Sequence, residues 1–271
     1  MALGDGLLVV VKLGGEVLEQ PALGQVAAGV AAARAAGHRL IIVHGGGPQA
    51  TALSQRLGLT PAIVGGRRVT DAATLDVMKM VVAGQLNVDL VAALRAAGVP
   101  ALGLHGPSGI ILARRRPPRM VSGGGAEPID FGLVGDVDGF DLPLLRALGV
   151  ERVPTLACLG ASPAGEVLNI NADVVASRLA AALTCGVLLA VTGVGGVRRH
   201  RGDPRSRLPR LTVAEARAAI ADGTVQGGMI PKLEEAFEPL AAGVGAVHII
   251  GAAEIATALA HPGTVGTVLL A

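Results

Sequence analysis

Lysine is rare in this chain. Of 23 Lys and Arg residues, only Lys12, Lys79 and Lys232 are lysines. A lysine ammonium is a compact charge with three donors, suited to following a phosphoryl group as it moves. Two of the three stand beside paired glycines. Lys12 lies at the end of the apolar run Leu7–Leu13 and precedes Gly14-Gly15, and Lys232 follows Gly227-Gly228 where a helical segment opens. Lys79 falls inside a long helical stretch and reads as an ordinary exposed residue. Asparagine is equally scarce, and Asn169 and Asn171 stand with Asp173 at alternate positions. One of them reads as a helix cap. In an extended segment the three share a face, and Asp173, one turn into the helix, is placed to bridge two ammonium groups. Arg68 offers a guanidinium able to hold a carboxylate bidentately, although it equally fits a surface arginine.

Glycine-rich turns recur beside these residues. The strand-like Leu40–Val43 runs into His44-Gly45-Gly46-Gly47-Pro48, with a helical Gln49–Gly58 behind it. Glycines let the backbone approach a ligand closely, and a helix starting just beyond them presents free N–H groups and a positive dipole end to an anion. The segment Gly186–Val191 ends in a similar way, at Thr192-Gly193-Val194-Gly195-Gly196-Val197. There is no GxxxxGK[ST] and no GxSxG, and the triple glycine does not fit GxGxxG followed by an acidic residue. The P-loop, dinucleotide and serine-hydrolase readings therefore fail.

These turns need a framework, and the chain is long enough to build one. With 271 residues, 51% of them hydrophobic, it can bury a large core. That core is aliphatic, because Trp and Tyr are absent and Phe occurs three times. The net charge of +2 gives no basic tract for nucleic acid. The densest cluster, Arg114-Arg115-Arg116 with Arg119, reads as a solvated hairpin tip. Cys158 and Cys185 lack a CxxC context and read as buried thiols, and no Cys/His metal cluster is apparent. No secretory signal and no uninterrupted spanning run is seen, so a soluble, cytoplasmic protein is expected.

Continuous apolar strands alternate with amphipathic helices. Leu7–Leu13, a helix from Pro21 to Ala36, and Leu40–Val43 form a β-α-β unit, for which parallel pairing is the default. A long helix from about Ala72 to Ala97 is capped by Thr70 or Asp71, with Gly84 as its point of division. It is apolar on more than one face and is either deeply buried or part of a subunit interface. Thr60–Arg68 reads as irregular, Ala101–Leu104 as a strand, and Gly109–Ala113 with Arg119–Ser122 as a hairpin around Pro117-Pro118. Gly132–Val137 and Arg152–Cys158 read as strands, Gly160–Gly165 as a turn, and His200–Arg210 as a loop. Helices follow at Thr212–Ala221 and Ile230–Ala242, and strands at Ala246–Ile250 and Gly266–Leu270. The expected fold is α/β: a three-layer αβα sandwich around a central, mostly parallel open sheet.

Val10-Val11-Lys12-Leu13-Gly14-Gly15, His44-Gly45-Gly46-Gly47-Pro48, Arg68-Val69-Thr70-Asp71, Asn169-Ile170-Asn171-Ala172-Asp173 and Gly227-Gly228-Met229-Ile230-Pro231-Lys232 stand in an order and spacing that resembles the amino acid kinase superfamily, and within it the acetylglutamate kinase family, end to end. The resemblance implies two lobes: residues 1–181 for the acyl substrate and dimerisation, residues 182–271 for ATP. It implies that ATP with Mg²⁺, the ion held mainly by the phosphates, phosphorylates the γ-carboxylate of N-acetyl-L-glutamate, a step of arginine biosynthesis. Lys12 and Lys232 would stabilise the transferring group from opposite sides, and Asp173 would hold both lysines. Gly46, Gly47, Arg68 and Asn169 would bind N-acetyl-L-glutamate, with Arg68 on its α-carboxylate. Amides of Gly14, Gly15 and Gly46 would reach the phosphate or the acyl substrate. Thr192, Gly193, Val194, Gly196, Gly228 and Met229 would line the nucleotide.

One departure stands out: relatives commonly carry an acidic residue where this chain has Gly193. Arginine-regulated relatives also carry an N-terminal helix for which this chain has no room, so a homodimer without strong arginine feedback is expected. Two rival readings accompany the main one. A kinase for carrier-protein-linked aminoadipate or glutamate would need a basic rim, for which Arg114–Arg119 is the candidate. A non-catalytic regulatory protein on the same fold would not need Lys12, Asp173 and Lys232 together.

Overall fold

The segment Leu8–Leu13 is the centre of the sheet. Its residues Val9, Val10, Val11 and Leu13 are fully buried, as expected of a parallel strand covered on both faces. The computed structural model describes residues 6–120, 127–200 and 202–271. Eight strands form the main sheet in the order Arg210–Thr212, Thr267–Leu270, Ala246–Ile250, Val187–Val191, Leu8–Leu13, Arg39–His44, Val153–Ala157, Ala101–Leu104. All neighbours are parallel except Ala246–Ile250 with Thr267–Leu270. The sheet is continuous across the expected lobe boundary, with four of its strands drawn from residues 1–181 and four from 182–271.

From the central strand the sheet grows outward in both directions. Its C-terminal end therefore sits where strand order reverses, the place where open α/β sheets bind ligands. Lys12 lies there, level with Val43 on one neighbour and Ala190 on the other. Helices cover the sheet in two layers. α1 (Ala22–Ala35) packs against α4 (Asn87–Ala96) and α9 (Ile255–Ala260), while α6 (Ala172–Leu183) and α8 (Met229–Ala241) pack together over the end of the central strands.

The helix expected from Ala72 is one unbroken rod: α3 (Ala72–Met78), a π-helical stretch Lys79–Leu86, then α4. Asp71 caps it, accepting from the Thr74 amide at 2.8 Å. Gly84 does not divide it; the wider π turns absorb the irregularity there. Its 25 residues are long and apolar enough to cross a membrane, but Leu75, Val82, Leu86, Leu90 and Leu94 are buried in the protein core. Met80 and Val88 are exposed on its other side.

Other local expectations are corrected by long-range pairing. Thr60–Arg68 contains a small hairpin, Ile63–Val64 against Arg67–Arg68. Among the described residues there is no hairpin around Pro117-Pro118. Ile111–Arg115 instead pairs antiparallel with Gly135–Phe140, and Arg119 bridges Ile129; the expected partner strand ends at Ser122, outside the described residues. Gly160–Gly165 is not a simple turn, because Leu159–Ala161 pairs with Val167–Asn169 in the same four-stranded second sheet. The arginine cluster is also not a free tip. Arg116 is buried, with Nε donating to Asp136 Oδ1 at 2.7 Å, while exposed Arg114 pairs with Asp138 at 2.5 Å. Cys158 and Cys185 are free and buried, and burial pushes their thiols up to about 12 and about 11, so neither is a thiolate at neutral pH.

Candidate active site

Three of the residues singled out by type meet in one cleft. Lys12 reaches it from the end of the central strand and Asp173 from the first turn of α6, with Nζ to Oδ1 at 2.5 Å. Asn171 is the helix cap: its side chain accepts from the Asp173 amide at 2.7 Å and so fixes where the first turn begins. Lys12 is 5% exposed. Burial alone lowers its pKa, but the Asp173 carboxylate, by charge and hydrogen bond, with Glu16 and Glu235 farther off, outweighs burial and raises it. Lys232 enters from the first turn of α8. The cleft is also lined by Ser177, Thr192 and Glu235. Among the described residues Asp173 is within ion-pair distance of Lys12 and not of Lys232.

Of the glycine-rich turns only Thr192 lines this cleft; their glycines do not. The Gly14 amide donates to Val191 O at 3.2 Å, which welds the first turn to the next strand and takes that amide away from a ligand. Gly15 is buried under Gln49, whose Nε2 donates to Gly15 O at 2.8 Å. Gly46 caps α2 (Gly47–Arg56), and the amides of the first helical turn have no intrahelical acceptor. A Cβ on Gly46 would lie 2.3 Å from Leu86 Cδ1 and 3.2 Å from Val82 Cγ2, so the turn presses against the π-helical stretch. Gly46→Ala is expected to cost about 1–3 kcal/mol by overpacking, which denaturant unfolding measures.

Arg68 lies over this helix start. Its Nη2 donates to Gly47 O at 3.1 Å and Thr51 Oγ1 at 2.6 Å, while Nη1 is buried without a partner. A buried donor left unmade is costly, and a ligand carboxylate would relieve it. Desolvation lowers the Arg68 pKa. Asn169 ends a strand and donates to Thr70 Oγ1 at 3.1 Å, which ties it to the Arg68-Val69-Thr70 segment. On the opposite side, Thr192 Oγ1 accepts from the Val194 and Gly195 amides at 3.3 and 3.4 Å. Gly196 has φ 121° and packs against Gly266, a conformation and a spacing that exclude a side chain. The Gly193 amide faces Glu16 Oε1 at 3.4 Å. Val194 and Gly228 are exposed, and Met229 opens α8. Among the described residues no cluster of three His, Cys, Asp or Glu stands ready for a metal ion.

Behind the triple glycine is a buried polar network. Asn87 Nδ2 donates to His44 Nε2 at 2.9 Å and to Thr155 O at 3.0 Å. His44 Nε2 is therefore an acceptor, and Nδ1–H donates to Gly45 O at 2.9 Å. Burial pushes the His44 pKa down to about 4, and protonation would set an N–H against the Asn87 amide. A histidine depressed in the folded state keeps its full contribution above its ordinary pKa of 6.5 and loses it as pH falls through about 4. Stability is expected to drop by about 3 kcal/mol from this group alone between pH 7 and 4, and H44Q to show a shallower fall in denaturant midpoint over the same range.

Glu235 was not singled out by type; it looks like half of an exposed acidic pair. Its only signal is that it follows Lys232 by three residues on a helix, and so shares its face. Asn87 was likewise missed, as one of several polar residues on a mostly apolar helix; the scarcity of asparagine, three in the chain, was the available signal.

With this geometry in view, the relatives are informative. Residues 8–251 match the amino acid kinase family. The chain is 56% identical over 266 residues to an acetylglutamate kinase of Anaeromyxobacter dehalogenans (strain 2CP-C), covering 96% of this chain and 98% of that protein. It is 55% identical to an acetylglutamate kinase of Sorangium cellulosum (strain So ce56), covering 97% and 94%. Among solved structures, N-acetylglutamate synthase from Neisseria gonorrhoeae, complexed with coenzyme A and N-acetyl-glutamate, superposes with a TM-score of 0.82 at 25% identity. That match covers 98% of this chain, which spans 60% of the synthase.

Proposed function

The chain belongs to the amino acid kinase family, and on that premise we propose that it transfers the γ-phosphoryl group of ATP to the γ-carboxylate of N-acetyl-L-glutamate, forming an acyl phosphate. The observation that carries this reading is the convergence of Lys12, Asp173 and Lys232 on one cleft at the C-terminal end of the central strands. The near full-length likeness to acetylglutamate kinases supports the choice of substrate.

The chemistry needs no general base, because a side-chain carboxylate is already ionised at neutral pH. The barrier is repulsion between two anions brought together, and positioning with electrostatic stabilisation lowers it. In this reading Lys12 and Lys232 meet the phosphoryl oxygens, and Asp173 is a positioning residue that keeps Lys12 charged and aimed. Arg68 Nη1 takes the α-carboxylate, Gly46, Gly47 and Asn169 shape the acyl pocket, and Gly15 contributes its amide. Thr192–Val197, Gly228 and Met229 hold the nucleotide. Mg²⁺, held mainly by the phosphates, would neutralise polyphosphate charge.

The decisive assay supplies ATP with N-acetyl-L-glutamate, glutamate, aspartate or aminoadipate and traps acyl phosphate with hydroxylamine. Hydroxamate from N-acetyl-L-glutamate is expected; none would sink the reading. A carrier-linked substrate finds less support, because Arg114 and Arg116 are committed to Asp138 and Asp136. We also propose a homodimer through Leu102 on the sheet's edge strand with Met80 and Val88, all exposed and apolar. Light scattering should give twice the chain mass, and a monomer would overturn it. A reducing compartment such as the cytoplasm suits the two free thiols.

A further inference from the structure

The cleft holds two ammonium groups and two carboxyl groups. Asp173 is committed to Lys12 at 2.5 Å, and Lys232 has no carboxylate within ion-pair distance among the described residues. Glu235 is three residues on from Lys232, on the same face of α8 and lining the same cleft. Its place is set by the backbone: Ser177 Oγ, one turn beyond Asp173 on α6, donates to Glu235 O at 3.0 Å and pins this turn of α8 to α6. We propose that Glu235 is a positioning residue for Lys232: as the neutral acid it leaves that lysine free for phosphate oxygens, and as the carboxylate it pairs with the lysine and holds it back.

The surroundings of Glu235 favour the neutral acid. The central strand contributes Lys12, α6 contributes Asp173 and Ser177, and α8 itself contributes Lys232 and Glu234. Leu188, Ala190 and Val247 from the neighbouring strands are apolar. Arg178 on α6 is turned away to Glu238 at 3.0 Å, and Arg217 on α7 (Val213–Ala221) stacks over Phe237 at 4.6 Å. Burial first, then the Asp173 charge, raise the Glu235 pKa to about 8 against the lowering effect of both lysines. A polyphosphate entering the cleft adds negative charge and stabilises the neutral acid further. The free enzyme should therefore lose competence on the alkaline side before the loaded enzyme does.

The inference rests on the reading that Lys232 meets the transferred phosphoryl group, and the experiment separates the two. The pH dependence of kcat/KM for ATP reports groups of the free enzyme and that of kcat those of the complex. In the wild type, kcat/KM should fall on an alkaline limb near pH 8, with the kcat limb displaced upward. In E235Q the ratio of kcat/KM at pH 9 to that at pH 7 should rise about tenfold relative to wild type. Thermal unfolding supplies a readout independent of turnover. A carboxyl with a raised folded pKa gives stability that is full below its unfolded value of 4.5 and lost as pH rises through about 8. The Tm of E235Q minus that of wild type should thus widen between those limits and level off above them. An unchanged alkaline limb in E235Q, or a constant Tm difference, overturns the inference. Lys232→Ala, measured alongside, distinguishes the failures: full turnover there sinks the phosphoryl-transfer reading and the inference with it, whereas a crippled Lys232→Ala beside an unaltered limb in E235Q sinks the inference alone.

Discussion

Lys232→Ala is expected to lower kcat by about 100- to 1,000-fold while moving KM for ATP only a few-fold. The expectation follows from where the ammonium stands. It lines the cleft from the first turn of α8 without an ion-pair partner among the described residues, so its charge is not spent on holding the fold. A cation of this kind acts on charge that develops during transfer, and its loss is felt in the transition state more than in the ground state. Stability should barely change, because no buried carboxylate is orphaned. A variant in which KM rises and kcat is kept would instead place Lys232 in nucleotide binding. Single-turnover measurements with trapped acyl phosphate would separate the chemical step from product release.

Lys232 was legible from its rarity and its glycines, as was Lys12. Asp173 was legible because it follows two scarce asparagines at alternate positions, although Asn171 turns out to cap α6 and Asn169 to end a strand. The parallel sheet was legible because buried parallel strands are apolar throughout, as in Leu8–Leu13 and Val187–Val191. What local patterns did not carry was anything decided by distant packing. Two prolines suggested a hairpin at 117–118, yet Ile111–Arg115 finds its partner in Gly135–Phe140. A run of arginines suggested a wet tip, yet Arg116 is buried against Asp136. Glu234 and Glu235 read alike along the chain, and only the docking of α8 onto α6 turns Glu235 into the cleft. The Gly14 amide looked free until the neighbouring strand supplied the Val191 carbonyl.

Asp173→Asn is expected to cost both stability and turnover, for one physical reason. It leaves the Lys12 ammonium, 5% exposed, without the carboxylate now 2.5 Å away. Removing one partner of a buried pair costs about 3–5 kcal/mol, because the remaining charge stays desolvated; Asp173 is itself partly exposed, so the lower end applies. The negative charge in the first turn of α6 is lost as well, a smaller effect. With Asp173 gone, burial becomes the dominant influence on Lys12 and pulls its pKa down, so the variant carries a weaker cation toward the substrate. The double variant K12M/D173N separates the two roles. With neither charge left to desolvate, its denaturant midpoint should return most of the way to wild type, since replacing both members of a buried pair is close to neutral. Its kcat should stay as low as that of Asp173→Asn or lower. Recovery of stability without recovery of turnover would mean that the pair is kept for the charge it delivers to the phosphoryl group, at a cost to folding that an apolar pair would not carry. Failure of the double variant to regain stability would instead make the pair part of what holds α6 to the central strand.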